Sequence, residues 1–370
     1  MTDPAGALQR GTAASVGLAQ EVLERASGVV AKAVEDGQIG ASTLTVGRRN
    51  RLVHQAAFGR QTPEADALET AVDSVFLLAS ITKPVTACAL MLLVDRGLVS
   101  LNDPVAAYLP EYVGGMRDQV LVRHILSHTS GMPDMLPENI ELRQAHEPME
   151  EFIRRALRTP LLFTPNTELR YQSKGILLAA EIVQRLSGHR LRDFEKAEIF
   201  VPLGMSRSCL GMDDFDVEET VWCGLGKPAT PDPGDWGQNS QYWRHFGCPW
   251  GGMHSTGGDL AILLQTMLNL GEYGGRRVFS RAGTRAMTTN QNSPPLKPWG
   301  LGWALAGSPV WNWFGELVSA DTFGHVGATG TVAWADPQSE LFCVFLTNQM
   351  VENGSLLRRV SNVVASAVLD

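Results

Sequence analysis

The chain has 370 residues, 44% of them hydrophobic and 19% charged, with a formal net charge of −8 and a sequence pI near 5.5. This is ordinary globular composition, long enough for one large domain or two intimate ones with a well-buried core. The acidic balance and the lack of a Lys/Arg cluster exclude a nucleic-acid footprint. The strongest apolar run, residues 87–94, has the length of a core helix, so no membrane partner is expected.

The first residues, MTDPAGALQRGTAASVG, lack a basic start followed by an apolar stretch and do not read as a signal peptide. Over residues 18–36 apolar side chains recur at three and four, which predicts an amphipathic helix stopped by Gly37. Residues 41–46 and 52–58 alternate like a hairpin turning across Arg48-Arg-Asn50. Residues 80–95 predict a helix that is apolar almost all round and therefore buried, with Pro84 near its first turn, where a missing N–H does least harm. Helical periodicity returns at residues 150–158, 176–186 and 259–270. Between Gly224 and Gly252 lies a Gly/Pro-rich stretch carrying Trp236, Trp243 and Trp250, long enough to suggest a function.

Strand patterns at residues 301–305, 331–335 and 341–346 and a helix at 356–368 complete the chain. Strands at both ends with helices between predict an α/β unit, residues 14–77 and 296–370, split by a helical insertion, residues 78–295. The five cysteines (Cys88, Cys209, Cys223, Cys248, Cys343) are odd in number and scattered, with no CxxC. Reduced thiols in a cytoplasmic protein are the expectation, not a disulfide framework or a zinc knuckle.

Ser80-Ile-Thr-Lys83 opens the apolar helix. Positions i and i+3 share a helix face, so the amine can sit beside the hydroxyl and take its proton if its own charge is disfavoured. Only six lysines occur in the chain, which makes this pair conspicuous. Tyr171-Gln-Ser173 follows, ahead of Gly175 and a helix, and then His325-Val-Gly327 with Ala328-Thr-Gly330 behind it. Leu101-Asn-Asp-Pro104, the run from His124 to Gly131, Gly300-Leu-Gly-Trp303 and Leu346-Thr-Asn348 accompany them.

Together, over residues 18–370, these segments resemble the serine β-lactamase-like superfamily, closest to its class C, D-aminopeptidase and family VIII esterase branches. The resemblance implies an α/β fold of the β-lactamase/transpeptidase kind: an antiparallel sheet flanked by N- and C-terminal helices, plus a mostly helical inserted domain. It implies Ser80 as the nucleophile of an acyl-enzyme, Lys83 and Tyr171 managing its proton, and the backbone N–H groups of Ser80 and Ala328 as the oxyanion hole. Such donors are each worth ~2.7–4 kcal/mol. Gly327 would let its strand pass the acyl group without a Cβ in the way. Lys83 and Tyr171 can each shift the other's pKa, which leaves open which of them is the base.

Two positions depart from the family pattern, both on the substrate side. Ser173 stands where β-lactamases and peptidases of this kind carry Asn, and so lacks the amide that grips an acylamino group. His325 stands where they usually carry Lys, replacing a permanent cation with an imidazole largely neutral at pH 7. An ester needs neither contact, so the expected activity is a carboxylesterase acting on small or medium hydrophobic esters. A β-lactamase or D-amino-acid peptidase, and an acyltransferase, are the alternatives. A silent binding protein is disfavoured because Ser80, Lys83 and Tyr171 are all present. Trp236, Trp243 and Trp250 are candidates for an apolar wall around the acyl group, or for simple packing.

Lys174 reads as solvated or capping. His124 and His128 have the i, i+4 spacing of zinc ligands but no third partner, and His146-Glu147 meets Glu150 where a zinc-protease motif needs its second histidine. No Gly-x-Ser-x-Gly, Walker loop or dinucleotide fingerprint occurs, so neither metal nor cofactor is expected.

Overall fold

The computed structural model describes residues 7–64, 66–212, 216–224, 233–309 and 313–370. Residues 225–232 of the Gly/Pro-rich stretch lie outside them. Three strands come from the N-terminal part: β1 (Gln9–Arg10), β2 (Ala41–Arg48) and β3 (Arg51–Gly59). A small separate sheet holds β4 (Phe76–Leu77), β5 (Cys209–Leu210) and β6 (Met253–Ser255). The C-terminal part supplies β7 (Ala304–Leu305), β8 (Phe323–Gly327), β9 (Thr331–Asp336) and β10 (Leu341–Thr347).

The main sheet runs β1-β3-β2-β10-β9-β8-β7. Its centre joins the two ends of the chain, with Val46 opposite Cys343 and Leu44 opposite Phe345. The pairing is antiparallel except at the edge, where β1 lies parallel to β3, an addition to the expected all-antiparallel sheet. The β2–β3 hairpin closes through Arg49 and Asn50, both at positive φ (51° and 59°), as a two-residue loop matching strand twist requires.

The helices that bear on the site are α1 (Gln20–Glu35), α2 (Thr82–Asp95), α3 (Met149–Ala156), α4 (Lys174–Ser187), α5 (Gln241–Phe246), α6 (Gly257–Leu268) and α7 (Ser355–Ala365). Every residue of β2, β9 and β10 is buried, so both faces of the sheet centre must be covered. Successive residues point to opposite faces. Leu341, Cys343 and Phe345 pack in one core with Leu23 and Val30 of α1 and Val360 and Val364 of α7. Phe342, Val344 and Leu346 pack in a second core with α2, α4 and α6. Helix α6, within the predicted helical insertion, thus lies against β2, β9 and β10. Residues 300–303 turn instead of extending: Gly302 has a φ of 78° and Gly300 N donates to Trp303 O (2.9 Å), which shortens the predicted strand to Ala304–Leu305.

Twelve of the fourteen residues of α2 are buried, as an all-round apolar pattern requires. No helix among the described residues is long and apolar enough to cross a membrane.

Strand β8 passes the turn before α2 at very close range. A Cβ on Gly327 would lie 2.1 Å from the carbonyl oxygen of Leu78 and 2.3 Å from Thr331 Oγ1, and backbone cannot yield as a side-chain tip can. Gly327→Ala is therefore expected to fold with unchanged far-UV circular dichroism, lose about 1–3 kcal/mol of stability in urea titrations, and lose activity through displacement of β8.

Candidate active site

Ser80 sits half-buried in a 3-10 turn, Ala79–Ile81, that leads into α2 at Thr82, two residues later than the pattern predicted. Ala79 adopts a left-handed φ of 50°, a conformation an L side chain resists. Three contacts hold it there. Leu78 N donates to Met253 O (2.9 Å), Thr82 Oγ1 donates to Ala79 O (2.7 Å), and Met253 N donates to the same threonine oxygen (3.0 Å).

Lys83 lies in the first turn of α2, 1% exposed, with its Nζ 2.8 Å from Ser80 Oγ. The Nζ also donates to the main-chain oxygen of Trp250 (2.9 Å). That carbonyl is held against the same helix, since Thr86 Oγ1 donates to the neighbouring Pro249 O (2.8 Å). Among the described residues no carboxylate forms an ion pair with the amine. Burial therefore pulls its pKa down from 10.5 to about 7, opposed more weakly by the Asp134 carboxylate.

Tyr171 completes the group, its ring centroid 4.8 Å from Lys83 Nζ. Burial of its phenol raises the pKa well above 10, while a hydrogen bond with Ser80 pulls the other way. The phenol therefore keeps its proton. Its ring is braced by His128 (centroids 4.7 Å apart) and Trp299 (6.2 Å), and by His325 on the β8 side (6.0 Å). His128 has a φ of 62° and is fully buried, and its Nδ1 accepts from Gln172 N (3.3 Å). It braces Tyr171, while His124 Nδ1 caps its own helix by accepting from Leu121 N (3.1 Å).

His325 is 1% exposed, and burial followed by the Lys83 charge lowers its pKa to about 3, so the imidazole is neutral. Ala328 follows at the exposed end of β8, and among the described residues its N–H meets no internal acceptor. The turn it belongs to is fixed to the segment leading into Ser80: Thr329 Oγ1 donates to Leu77 O and Thr331 Oγ1 to Leu78 O, both at 2.9 Å. The Ser80 N–H, early in its 3-10 turn, precedes the first internal acceptor.

Of the remaining predicted residues, Ser173 donates its hydroxyl to the exposed Asp134 carboxylate (2.7 Å). Trp250 is only 3% exposed; its ring packs beside Phe152 and Phe246, and what it presents to Lys83 is its carbonyl. Trp243 and Trp236 flank Arg143, whose guanidinium carbon lies 3.7 Å and 5.2 Å from their ring centroids. Phe246 links two of these rings, stacking on Trp243 and meeting Trp250 edge-on.

The profile of the Beta-lactamase family matches residues 14–366. The chain belongs to the Beta-lactamase family. A protein of Escherichia coli O157:H7, provisionally named a D-alanyl-D-alanine carboxypeptidase, is 27% identical over 352 residues, covering 86% of this chain and 80% of the relative. A family VIII carboxylesterase superposes with a TM-score of 0.77 at 20% identity, covering 95% of this chain and 99% of that one. A D-amino acid amidase from Ochrobactrum anthropi SV3 does so at 0.73 and 20% identity, covering 94% and 97%. The protein is a hydrolase of the Beta-lactamase fold.

Within this Beta-lactamase family frame, the sequence reading misplaced Lys174. It is neither solvated nor a cap: it is fully buried, its Nζ has no hydrogen-bond partner, and it lies 3.6 Å above the ring centroid of Trp250. A lysine opening an apolar helix looks the same in sequence whether it turns out or in. The signal available was its place three residues after Tyr171 on an otherwise buried helix face.

Burial lowers the pKa of His128 and His325, and of His124 to about 4, all below the ordinary 6.5. The unfolded chain therefore binds protons that the folded chain refuses, and this part of the stability is lost as pH falls from 6.5 toward 4. Urea midpoints are expected to drop steadily over that range, and ¹⁵N-resolved imidazole shifts to show His325 neutral throughout.

Proposed function

We propose that the protein is a serine carboxylesterase acting on small or medium hydrophobic esters through an acyl-enzyme on Ser80. The observation that carries this reading is the Lys83 Nζ held 2.8 Å from Ser80 Oγ while fully buried and, among the described residues, without a carboxylate partner. With one N–H given to Trp250 O, the lone pair of the free amine is aimed at the serine hydroxyl. Because the tyrosine keeps its proton, Lys83 is the base and Tyr171 the hydroxyl through which the proton reaches the leaving group.

In acylation Ser80 Oγ attacks the ester carbonyl carbon and its proton passes to Lys83. The oxyanion of the tetrahedral intermediate is received by the N–H groups of Ser80 and Ala328. Collapse breaks the carbon–alkoxide bond, and the alkoxide takes the proton from Lys83 by way of the Tyr171 hydroxyl. Water then repeats the sequence on the acyl-enzyme, releasing the carboxylic acid and restoring Ser80. The neutral His325 and the serine at 173 support an ester over an anionic substrate, since position 325 offers no cation for a carboxylate.

Hydrolysis of an amino-acid amide, as the name of the amidase neighbour describes for that protein, is a second reading. It is favoured by the exposed Asp134 carboxylate beside Ser173, which can pair with a substrate ammonium group.

Hydrolysis of p-nitrophenyl acetate and butyrate is expected, with Ser80→Ala inactive and unlabelled by a fluorophosphonate. Lys83→Ala and Tyr171→Phe should each fall roughly 10²- to 10⁴-fold. A base with a pKa near 7 works only when deprotonated, so kcat/KM should rise with pH through about 7 and then level off. Undiminished turnover in Ser80→Ala, or a rate that falls across that range, overturns the reading. Matched amides with and without a free α-amino group decide between ester and amino-acid amide.

A further inference from the structure

The proposed chemistry uses one buried lysine, and the same pocket holds a second. Lys174 is the first residue of α4, where the helix N-terminus already presents partial positive charge that disfavours an ammonium. It is fully buried and its Nζ has no hydrogen-bond partner. Its compensation is aromatic: the Nζ stands 3.6 Å from the ring centroid of Trp250 and 5.8 Å from that of Phe152. Trp250 is thus shared, its indole face under Lys174 and its carbonyl oxygen bonded to Lys83.

We propose that Lys174 is a positioning residue that acts through Lys83: it holds a positive charge on the Trp250 ring and thereby keeps Lys83 a free amine at neutral pH. The inference rests on the reading of Ser80 and Lys83 as nucleophile and base. Two ammonium groups in one dry pocket repel, so the proton settles where the π face receives it, and the amine beside Ser80 keeps its lone pair.

The other groups facing the pair leave this assignment standing. Asp134 is the anion that reaches both amines, and it favours the charged form of each. The Cys248 thiol is pushed up to about 12 and stays protonated, His128 and His325 are neutral, and the Tyr171 phenol keeps its proton. Burial is the main cause that brings Lys174 down to about 7, with the charge of Lys83 a smaller contribution within that value, and the coupling between the two amines acts equally in the other direction.

The test is the pH dependence of kcat/KM for p-nitrophenyl butyrate, and of fluorophosphonate labelling of Ser80, in Lys174→Met. Removing the cation removes the repulsion on protonated Lys83, so the acid limb should move upward by about one pH unit. The rate at pH 6.5 should fall roughly tenfold while the rate at pH 9 stays within about twofold. Trp250→Phe is the second arm, since it weakens the π platform while leaving the main-chain oxygen that Lys83 uses; its limb should move the same way by less. A loss of activity at all pH values with the limb in place marks a purely structural role and overturns the proposal. A limb that moves downward also overturns it. Activity persisting in Ser80→Ala would instead defeat the underlying esterase reading, so the two failures are distinct.

Discussion

The architecture serves one unfavourable act, the burial of the Lys83 amine without a counter-anion. Lowering its pKa from 10.5 to about 7 means that near neutral pH the site costs on the order of 5 kcal/mol, because the unfolded chain binds a proton the folded pocket rejects. That is comparable with the whole stability margin of many domains, and it is tolerable only inside a large, well-packed core. Hence α2 is buried almost all round, and the sheet behind it is covered on both faces. The carbonyl of Trp250 and the hydroxyl of Ser80 are the polar partners the amine keeps, and the segments that carry them are held by two threonine hydroxyls of α2, Thr86 on Pro249 O and Thr82 on Ala79 O.

A neutral, buried histidine at position 325 sets the electrical character of the cleft. A fixed cation there would add to the repulsion on Lys83, whereas a neutral ring packs against Tyr171 and Trp299. At the mouth, Ser173 gives its hydrogen to Asp134, so the side chain that replaces the usual amide is already engaged before substrate arrives. The result is a cleft with an acidic rim and an interior whose histidines, phenol and thiol are neutral.

What sequence could deliver followed from periodicity. The Ser-x-x-Lys spacing and the uninterrupted apolar character of α2 both report a helix that buries its first turn, and Lys83 is buried there. Alternation over β2 and the strand patterns of β9 and β10 were readable too, and the register across the two chain ends follows from the shared core. Tyr171 and His325 were legible only as parts of a motif order, since an isolated tyrosine or histidine carries no such message. The carbonyl of Trp250, the bracing ring of His128 and the inward turn of Lys174 were not legible. The first is a backbone group that every residue possesses. The second depends on a left-handed residue at a non-glycine position. The third is set by which way α4 leaves the segment at Tyr171, a fact of tertiary packing. Whether the aromatic stretch walls a pocket or simply packs was not legible, because indole rings mark pockets and cores alike; Trp236 and Trp243 flank Arg143, and Trp243 stacks on Phe246.

Ala79 has a wider implication. The left-handed turn that presents Ser80 is a conformation its own residues do not favour, and it is imposed by β6 and by the threonine that opens the helix. An excised peptide spanning the serine and the lysine would keep both functional groups and their helical spacing, yet release the kink that points one at the other. Reactivity in this molecule is thus a collective property of segments more than 170 residues apart in the chain, as the bond from Met253 to Thr82 illustrates with its separation of 171. It comes into being only when the last of them has docked.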